Sequence, residues 1–355
     1  MENNQYSFFE KHSLFDFPST RYQGSKNKLL KWIWENIKDL KFETALDAFG
    51  GTGSVAYMFK RMGKQVVYND LLKSNYTTGL ALIENNSETL TEEDVEFLIT
   101  RHAGFHYPSF IQQTFHDIYF YDEENAWLDM VVENIKRLKG KYKKALAFHA
   151  LFQSCIIKRP YNLFHRKNLY MRCADVKRSF GNKATWDTPF EIHFKYFVEE
   201  ANSYVFSNGK KCKAMNLESM EVPGKYDLVY IDTPYISAKG VGVDYYDFYH
   251  FLEGLVEYKK WPKLIDYKSK HKRMKPKKSP WTDKKLIKEA FEKLFKSYKD
   301  SKLVVSYRSD GIPSLEELVS LLKKYKGGNV RLETLNYKYV LSINGASSEI
   351  LCLAS

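Results

Sequence analysis

The fold hinges on nine residues, Ala45-Leu46-Asp47-Ala48-Phe49-Gly50-Gly51-Thr52-Gly53. A short apolar run ends abruptly in glycines, which reads as a buried strand breaking into a tight turn. Val55 to Met62 follows with helical character and stops at Gly63. Gln65 to Tyr68 then reads as a second strand, closing on Asn69-Asp70. Strand, glycine turn, helix, strand and acid in this order form a βαβ unit of the dinucleotide or cofactor type. The glycines let the backbone approach a ligand, and the next helix presents its N-terminus. An ordinary βα turn would show the same glycines. Asp70 lies 17 residues beyond Gly53, placed to accept hydrogen bonds from ribose hydroxyls. Its other reading is a helix N-cap, because Leu71 begins an apolar stretch. No Gly-Lys-Ser/Thr follows, so this is not a phosphate-gripping P-loop.

On the N-terminal side, Leu29, Leu30, Ile33, Trp34 and Ile37 recur at helical spacing within an amphipathic segment from Lys26 to Leu40. Residues 1–19 read as an irregular arm. On the C-terminal side, residues 71–203 are mostly helical, with segments expected at 91–101, 126–139, 142–157 and 189–203. Strand patterns then return at 211–214, 226–231 and 303–306, followed by a helix at 314–325. The end reads as two strands, 330–340 and 349–353, joined through Ile343-Asn344-Gly345-Ala346. The expected architecture is α/β: a Rossmann-like sheet with a terminal antiparallel hairpin and an inserted, mainly helical domain. The boundaries expected are 15–75 and 204–355 for the split catalytic domain, 76–203 for the helical insert, and 259–299 for a basic loop-helix insertion.

The chain has 355 residues, with 55 Lys+Arg against 43 Asp+Glu and a net charge of +12. With 44% hydrophobic and 16% aromatic residues, it has enough apolar material for a core, which excludes global disorder. No run of 18 apolar residues exists, and Met1 to Glu10 lacks the features of a secretory signal, so a cytoplasmic protein without a membrane span is expected. Cys155, Cys173, Cys212 and Cys352 form no CxxC pair, and His149, His165, His193 and His271 have no metal-ligand spacing, so neither a disulfide framework nor a metal site is expected.

The excess charge is concentrated in two segments. Lys158 to Lys183 carries eight cations against Asp175 alone, interleaved with Tyr161, Phe164, His165, Tyr170 and Phe180. Lys268 to Lys278 carries seven cations and no acid. A solvated charged loop is the plain reading of each. Few acids and interleaved aromatics in the first segment, and the position of the second after Asp232-Thr233-Pro234-Tyr235, favour DNA, with Lys158, Arg159, Arg166, Lys167, Arg172, Lys177, Arg178, Lys272 and Arg273 as the expected contacts.

Two further motifs carry chemistry. Asp232-Thr233-Pro234-Tyr235 ends the apolar strand Tyr226 to Ile231. An exocyclic amine on a nucleobase is conjugated and a poor nucleophile. Acceptors that hydrogen-bond both N–H groups draw the nitrogen toward tetrahedral geometry and free its lone pair. Asp232 offers a carboxylate for this, residue 233 a backbone carbonyl, Pro234 a rigid turn and Tyr235 a face for an extruded base. A strand-ending turn with an N-capping Asp is the alternative. The other motif, Arg21-Tyr22-Gln23-Gly24-Ser25-Lys26, puts a cation at a helix start, where the macrodipole disfavours it. That suggests a carboxylate partner for Lys26, or else a solvated lysine. Val243 to Leu255, with Asp244, Tyr245, Tyr246 and Phe248, reads equally as a pocket wall or as core.

Together, and in this order, the motifs resemble those of the D12 class (Dam-like, α-group) of N6-adenine-specific DNA methyltransferases. That class shows (R/K)(Y/W)xGGK, DxFxGxG, an acid, a target-recognition domain and D-P-P-Y. The resemblance covers roughly residues 15–355. It implies S-adenosylmethionine as cofactor and S-adenosylhomocysteine as product. Tyr22 and Gly24 would lie by the cofactor, with Lys26 on its methionine carboxylate. Asp47, Phe49, Gly51 and Gly53 would form its turn, Asp70 would hold its ribose, Asn216 its adenine, and Asp232 would also touch it. Asp232, Thr233, Pro234 and Tyr235 would hold a flipped adenine. Three positions depart from the family pattern: Ser25 for the second Gly, Thr233 for the first Pro, and Asn216 for the usual Asp. Asp at 232 favours adenine over cytosine-N4 enzymes, which commonly have Ser there, and over RNA relatives, which commonly have Asn. The expected partners are duplex DNA and a cognate restriction endonuclease or second methyltransferase, with a monomer as the working unit. The alternatives are a cytosine-N4 or RNA methyltransferase, or an inert DNA-binding subunit. The intact glycine turn and Asp232-Thr233-Pro234-Tyr235 argue against inertness.

Overall fold

A computed structural model describes residues 12–174, 183–237, 240, 242–335 and 348–355. The chain divides into two compact units, each assembled from three segments. Residues 26–71, 208–244 and 277 onward build a sheet unit. Residues up to 25, 72–207 and 245–276 build a helical unit.

The sheet unit contains, among the described residues, β1 (Thr44–Asp47), β2 (Gln65–Asn69), β3 (Lys213–Met215), β4 (Leu228–Ile231), β5 (Lys302–Arg308), β6 (Val330–Leu335) and β7 (Glu349–Ala354). Their order is β3-β2-β1-β4-β5-β7-β6. The first five run parallel, and β7 lies antiparallel between β5 and β6. The expected terminal hairpin is therefore present as β6 and β7, while its expected turn at 343–346 lies outside the described residues.

The central strands read as apolar runs because both faces are covered. Leu46, Val67, Val229, Ile231, Leu303 and Val305 join one core with Phe291, Leu294 and Phe295 of the helix Ile287–Ser297 and with Leu318 and Leu322 of the helix Leu315–Lys326. Each such side chain contributes about 1.5–3 kcal/mol on burial. The intervening residues face the helix Ser54–Arg61, where Phe59 meets Tyr230 edge-on at 6.4 Å. The helix expected at 314–325 forms almost as read, because Ser314 and Glu317 make a capping box and Gly327 ends it in the left-handed region. The segment expected as a helix from Lys26 instead starts with a 3₁₀ turn, Asn27–Leu29, and turns α-helical over Leu30–Ile37.

Strand order reverses between β1 and β4, so crossovers from these two strands leave in opposite directions and their carboxyl ends part into a crevice. The glycine turn follows β1 and Asp232-Thr233-Pro234-Tyr235 follows β4. Both motifs therefore meet at the switch point of the sheet.

The helical unit centres on the helix Lys141–Ile157, buried along Leu146, Ala147, Ala150, Leu151 and Cys155 and packed by the helix Phe190–Ser203. The helices Asp122–Arg137, Phe110–Thr114 and Glu92–Ile99 add to it. Residues 245–276, placed in the catalytic domain by sequence, fold with this unit instead. The reason is aromatic: Phe251 packs against Phe115, Phe164 and Trp261 at ring distances of 5.0, 5.1 and 5.2 Å. The basic segment 259–299 is thereby split, since its helix Ile287–Ser297 belongs to the core of the sheet unit. Among the described residues, no helix is long and apolar enough to cross a membrane.

Candidate active site

The turn after β1 is shaped by close contacts. Gly50 N–H donates to Asn69 O and Gly53 N–H to Gly50 O, both at 2.8 Å. The Tyr68 ring lies across Gly50, so a Cβ there would sit 2.0 Å from a ring carbon. Gly53 holds φ +84° just before the helix Ser54–Arg61, a conformation that favours glycine. Gly50, which sequence reading passed over, is thus the most constrained position of the turn. Gly50→Ala must displace Tyr68, whose hydroxyl donates to Gly51 O at 2.7 Å. We expect a lower melting temperature for this variant by calorimetry, since the strained turn has no room for the added methyl group.

Asp70 Oδ2 accepts the Gly51 N–H at 2.8 Å, so the acid that ends β2 also fixes the glycine turn. Asn69 supports the same corner, donating to Ala48 O and Leu217 O and accepting from Leu217 N–H. Asn216 donates through Nδ2 to Asp70 O at 2.8 Å and Leu71 O at 2.9 Å. A carboxylate could make neither bond, which accounts for Asn in place of the family's usual Asp. Phe49 packs edge-on against Trp281 at 4.8 Å.

Asp47 is 1% exposed. Its Oδ2 accepts the Ala56 N–H at 3.2 Å, while the buried Oδ1 has no hydrogen-bond partner in the protein. Burial, reinforced by the charges of Asp232 and Asp70, pushes the Asp47 carboxyl up to about 8. An orphaned buried acceptor among acids is suited to a cationic ligand group.

The turn after β4 carries a charged cluster. Tyr235 Oη donates to Asp232 Oδ1 at 2.7 Å. Lys26 Nζ donates to Tyr235 Oη at 2.6 Å and lies 3.2 Å from Asp232 Oδ1 and 2.9 Å from Glu349 Oε1. Ser306 Oγ donates to that same glutamate oxygen. Burial opposes charge on Lys26, but Asp232, Tyr235 and Glu349 outweigh it and hold the ammonium well above the usual lysine range. Burial raises Asp232 to about 6, with Lys26 pulling it down and Glu349 pushing it up. The Asp232 side chain keeps 16% exposure, while Thr233 is buried and Tyr235 is 9% exposed. The Tyr235 ring meets Tyr307 edge-on at 6.3 Å.

The carboxylates that Lys26 faces here are those of Asp232 and Glu349, and with the Tyr235 phenol they take up its three N–H donors. Sequence reading had no signal for Glu349 or Ser306, which are contributed by β7 and β5.

In the helical unit, Tyr22 stacks on Tyr249 at 4.1 Å and on Tyr245 at 5.8 Å, and its hydroxyl accepts from Asn75 Nδ2 at 3.1 Å. A Cβ on Gly24 would sit 2.3 Å from the Tyr245 hydroxyl oxygen. The aromatics of Val243 to Leu255 thus embrace the first motif as well as filling core.

Several cations expected on DNA are internal instead. Lys158, Arg159 and Arg172 are buried. Arg172 forks onto Glu124 at 2.7 and 2.8 Å, and Lys158 pairs with Glu124 at 2.9 Å and bonds Trp186 O and Thr188 O. Arg159 bonds Leu163 O and Arg166 O and lies over the Tyr119 ring at 4.2 Å. Their charges are committed to protein groups, so they leave the set of DNA contacts. Arg166 and Lys167 are exposed, with Lys167 paired to Asp117 at 2.6 Å. Lys272 bonds Tyr267 O, and Arg273 lies 3.6 Å from Asp266. Lys177 and Arg178 lie outside the described residues.

A family model described as D12 class N6 adenine-specific DNA methyltransferase matches residues 22–306. The chain is 31% identical over 341 residues to the type II methyltransferase M2.HphI of Haemophilus parahaemolyticus, covering 94% of this chain and 95% of that protein. It is 27% identical over 336 residues to the modification methylase LlaI of Lactococcus lactis subsp. lactis, and 27% identical over 350 residues to the modification methylase StsI of Streptococcus sanguinis. Those two alignments cover 90% and 91% of this chain but 51% and 49% of the relatives.

Proposed function

The chain belongs to the D12 class of N6 adenine-specific DNA methyltransferases, and on that footing we propose that it methylates adenine N6 in duplex DNA with S-adenosylmethionine, as the modification enzyme of a restriction–modification system. The observation that carries this reading is Asp232, an acid still open to solvent at the end of β4, beside the glycine turn that ends β1.

S-adenosylmethionine supplies an electrophilic methyl group on a cationic sulfur. Asp47, through its unpartnered Oδ1, would hold the cofactor's ammonium, and a cation there would draw the proton from this raised carboxyl. Asp70 would take the ribose hydroxyls, and Phe49, Gly51 and Gly53 the space beside them. Asn216 completes the proposed set within the sheet unit.

The adenine amine would donate one N–H to Asp232 and the other to the carbonyl of Thr233. Thr serves here as well as Pro because the position acts through its backbone. Tyr235 gives the base a stacking face, and its hydroxyl orients the Asp232 carboxylate. The N6 lone pair freed in this way would be presented to the methyl group that the cofactor supplies, and the N6 proton given up on methylation would pass to solvent. Positioning and charge complementarity supply the rate.

The test incubates the protein with labelled S-adenosylmethionine and duplex DNA or RNA, and identifies the modified nucleoside by mass spectrometry. N6-methyladenine in DNA is expected. N4-methylcytosine, methylated RNA alone or no product would replace this reading.

For DNA contact we assign Arg166, Lys167, Lys272 and Arg273. Arg166→Ala should lower the slope of log affinity against log salt by about 0.9, the value of one phosphate contact. Arg172→Ala should leave that slope unchanged and lower the melting temperature, because it removes the forked partner of Glu124 and leaves Lys158 as its cation. The reverse pattern would return Arg172 to the interface. One catalytic site methylates one strand per binding event, so a second methyltransferase for the other strand fits alongside a cognate endonuclease.

A further inference from the structure

Glu349 is the first residue of β7 and is fully buried. In the β5–β7 register it lies opposite Arg308, diagonal to Ser306, so Ser306 and Glu349 share one face of the sheet. A buried glutamate is costly unless paired and hydrogen-bonded. Here Ser306 and Lys26 supply both bonds, and the same Lys26 reaches Asp232 and Tyr235. Lys26 is therefore shared between two carboxylates, with the shorter distance on the Glu349 side.

Catalysis asks Asp232 to exchange partners. In the arrangement described it accepts from Tyr235 and Lys26. With adenine present it must turn an acceptor oxygen toward the N6 amine. If Asp232 were the only anion on Lys26, that exchange would leave a buried ammonium without a counter-charge. We propose that Glu349 is a positioning residue for methyl transfer, anchoring Lys26 through Ser306 so that Asp232 can release it and engage the adenine amine. This rests on the methyltransferase reading above.

The groups that face Asp232 are Lys26 ahead of the helix Leu30–Ile37, Glu349 on β7, Asp47 on β1, Tyr230 on β4 and Tyr235 in its own turn. Arg308 of β5 adds a cation 5.9 Å from the Tyr235 ring centre. Of these, Glu349 is the anion that competes with Asp232 for Lys26.

Glu349→Gln keeps the shape and removes the charge. Asp232 is then the one carboxylate left on Lys26, beside the Tyr235 hydroxyl, and is held more tightly. The single-turnover rate should fall about tenfold, with affinity for duplex DNA unchanged. The charge of Glu349 pushes the Asp232 carboxyl toward a higher pKa, so its neutralisation should move the acid limb of the pH–rate profile to lower pH. A merely structural glutamate would lower the melting temperature without moving that limb. A wild-type rate, or a slower rate with an unmoved limb, overturns the inference. Should Glu349→Gln fail to fold, Ser306→Ala takes its place. It should slow single turnover at unchanged DNA affinity, and a wild-type rate there overturns the inference. A wild-type protein that forms no N6-methyladenine would instead sink the underlying reading, so the two failures are distinct.

Discussion

Asp232→Ala should lower the single-turnover rate of methyl transfer by about 10²–10³-fold or more, the size seen when one preorganised polar group is removed from a reaction centre. Duplex DNA should bind as before, because Asp232 carries no positive charge to offer a phosphate. The pH dependence sharpens the assignment. Burial raises the Asp232 carboxyl to about 6, so in the wild type the rate should climb as pH rises through that value and the carboxylate forms. Asp232→Asn keeps the shape and one acceptor oxygen but cannot ionise, so its residual rate should lack this limb. Rapid-quench measurements between pH 5 and 8 decide the matter. Undiminished turnover in Asp232→Ala, or a limb that persists in Asp232→Asn, would remove Asp232 from the chemistry.

Lys26→Met should be the most destabilising substitution in the sheet unit. It leaves Asp232 and Glu349 buried together without their cation. Breaking a buried pair in this way costs about 3–5 kcal/mol. The pH window follows from the direction of each shift. The folded-state pKa of Lys26 lies above the ordinary lysine value, so its contribution is complete below that value and is lost only as pH rises through the higher one. At neutral pH the full deficit should therefore appear in urea titrations. Asp232 is also raised, so protonation relieves the stranded carboxylate as pH falls below about 6. The gap between variant and wild type should narrow on acidification. A gap independent of pH would show that Lys26 stabilises by packing alone. Methyl transfer should be lost at every pH, because Asp232 and Tyr235 lose their common donor.

How much of this was legible in the sequence depends on the range of the forces involved. The glycine turn, the acid of β2 and the catalytic turn are local devices. Glycine, proline and apolar runs dictate backbone conformation over a few residues, so Asp47 to Asp70 and Asp232 to Tyr235 could be placed at strand ends before any coordinates existed. The same holds for the helix at Leu315–Lys326, whose start and stop are written in Ser314 and Gly327.

Charge was read less well, and for a physical reason. A lysine or arginine looks the same in sequence whether it faces water, phosphate or a buried carboxylate. Arg172 and Lys158 belong to the segment that looked most like a DNA-binding loop, yet both close on Glu124, an acid from a different helix. The allegiance of residues 245–276 likewise rests on rings brought together from distant segments. By itself the sequence determined the α/β class, the order of the motifs and the position of Asp232 at the end of a buried strand, because each is encoded within one strand and its turn. The tertiary structure alone decided that Lys26 lies against Asp232, that Glu349 shares it, and which cations of the basic segments are buried, because the sign and cost of a buried charge depend on partners far away in the chain.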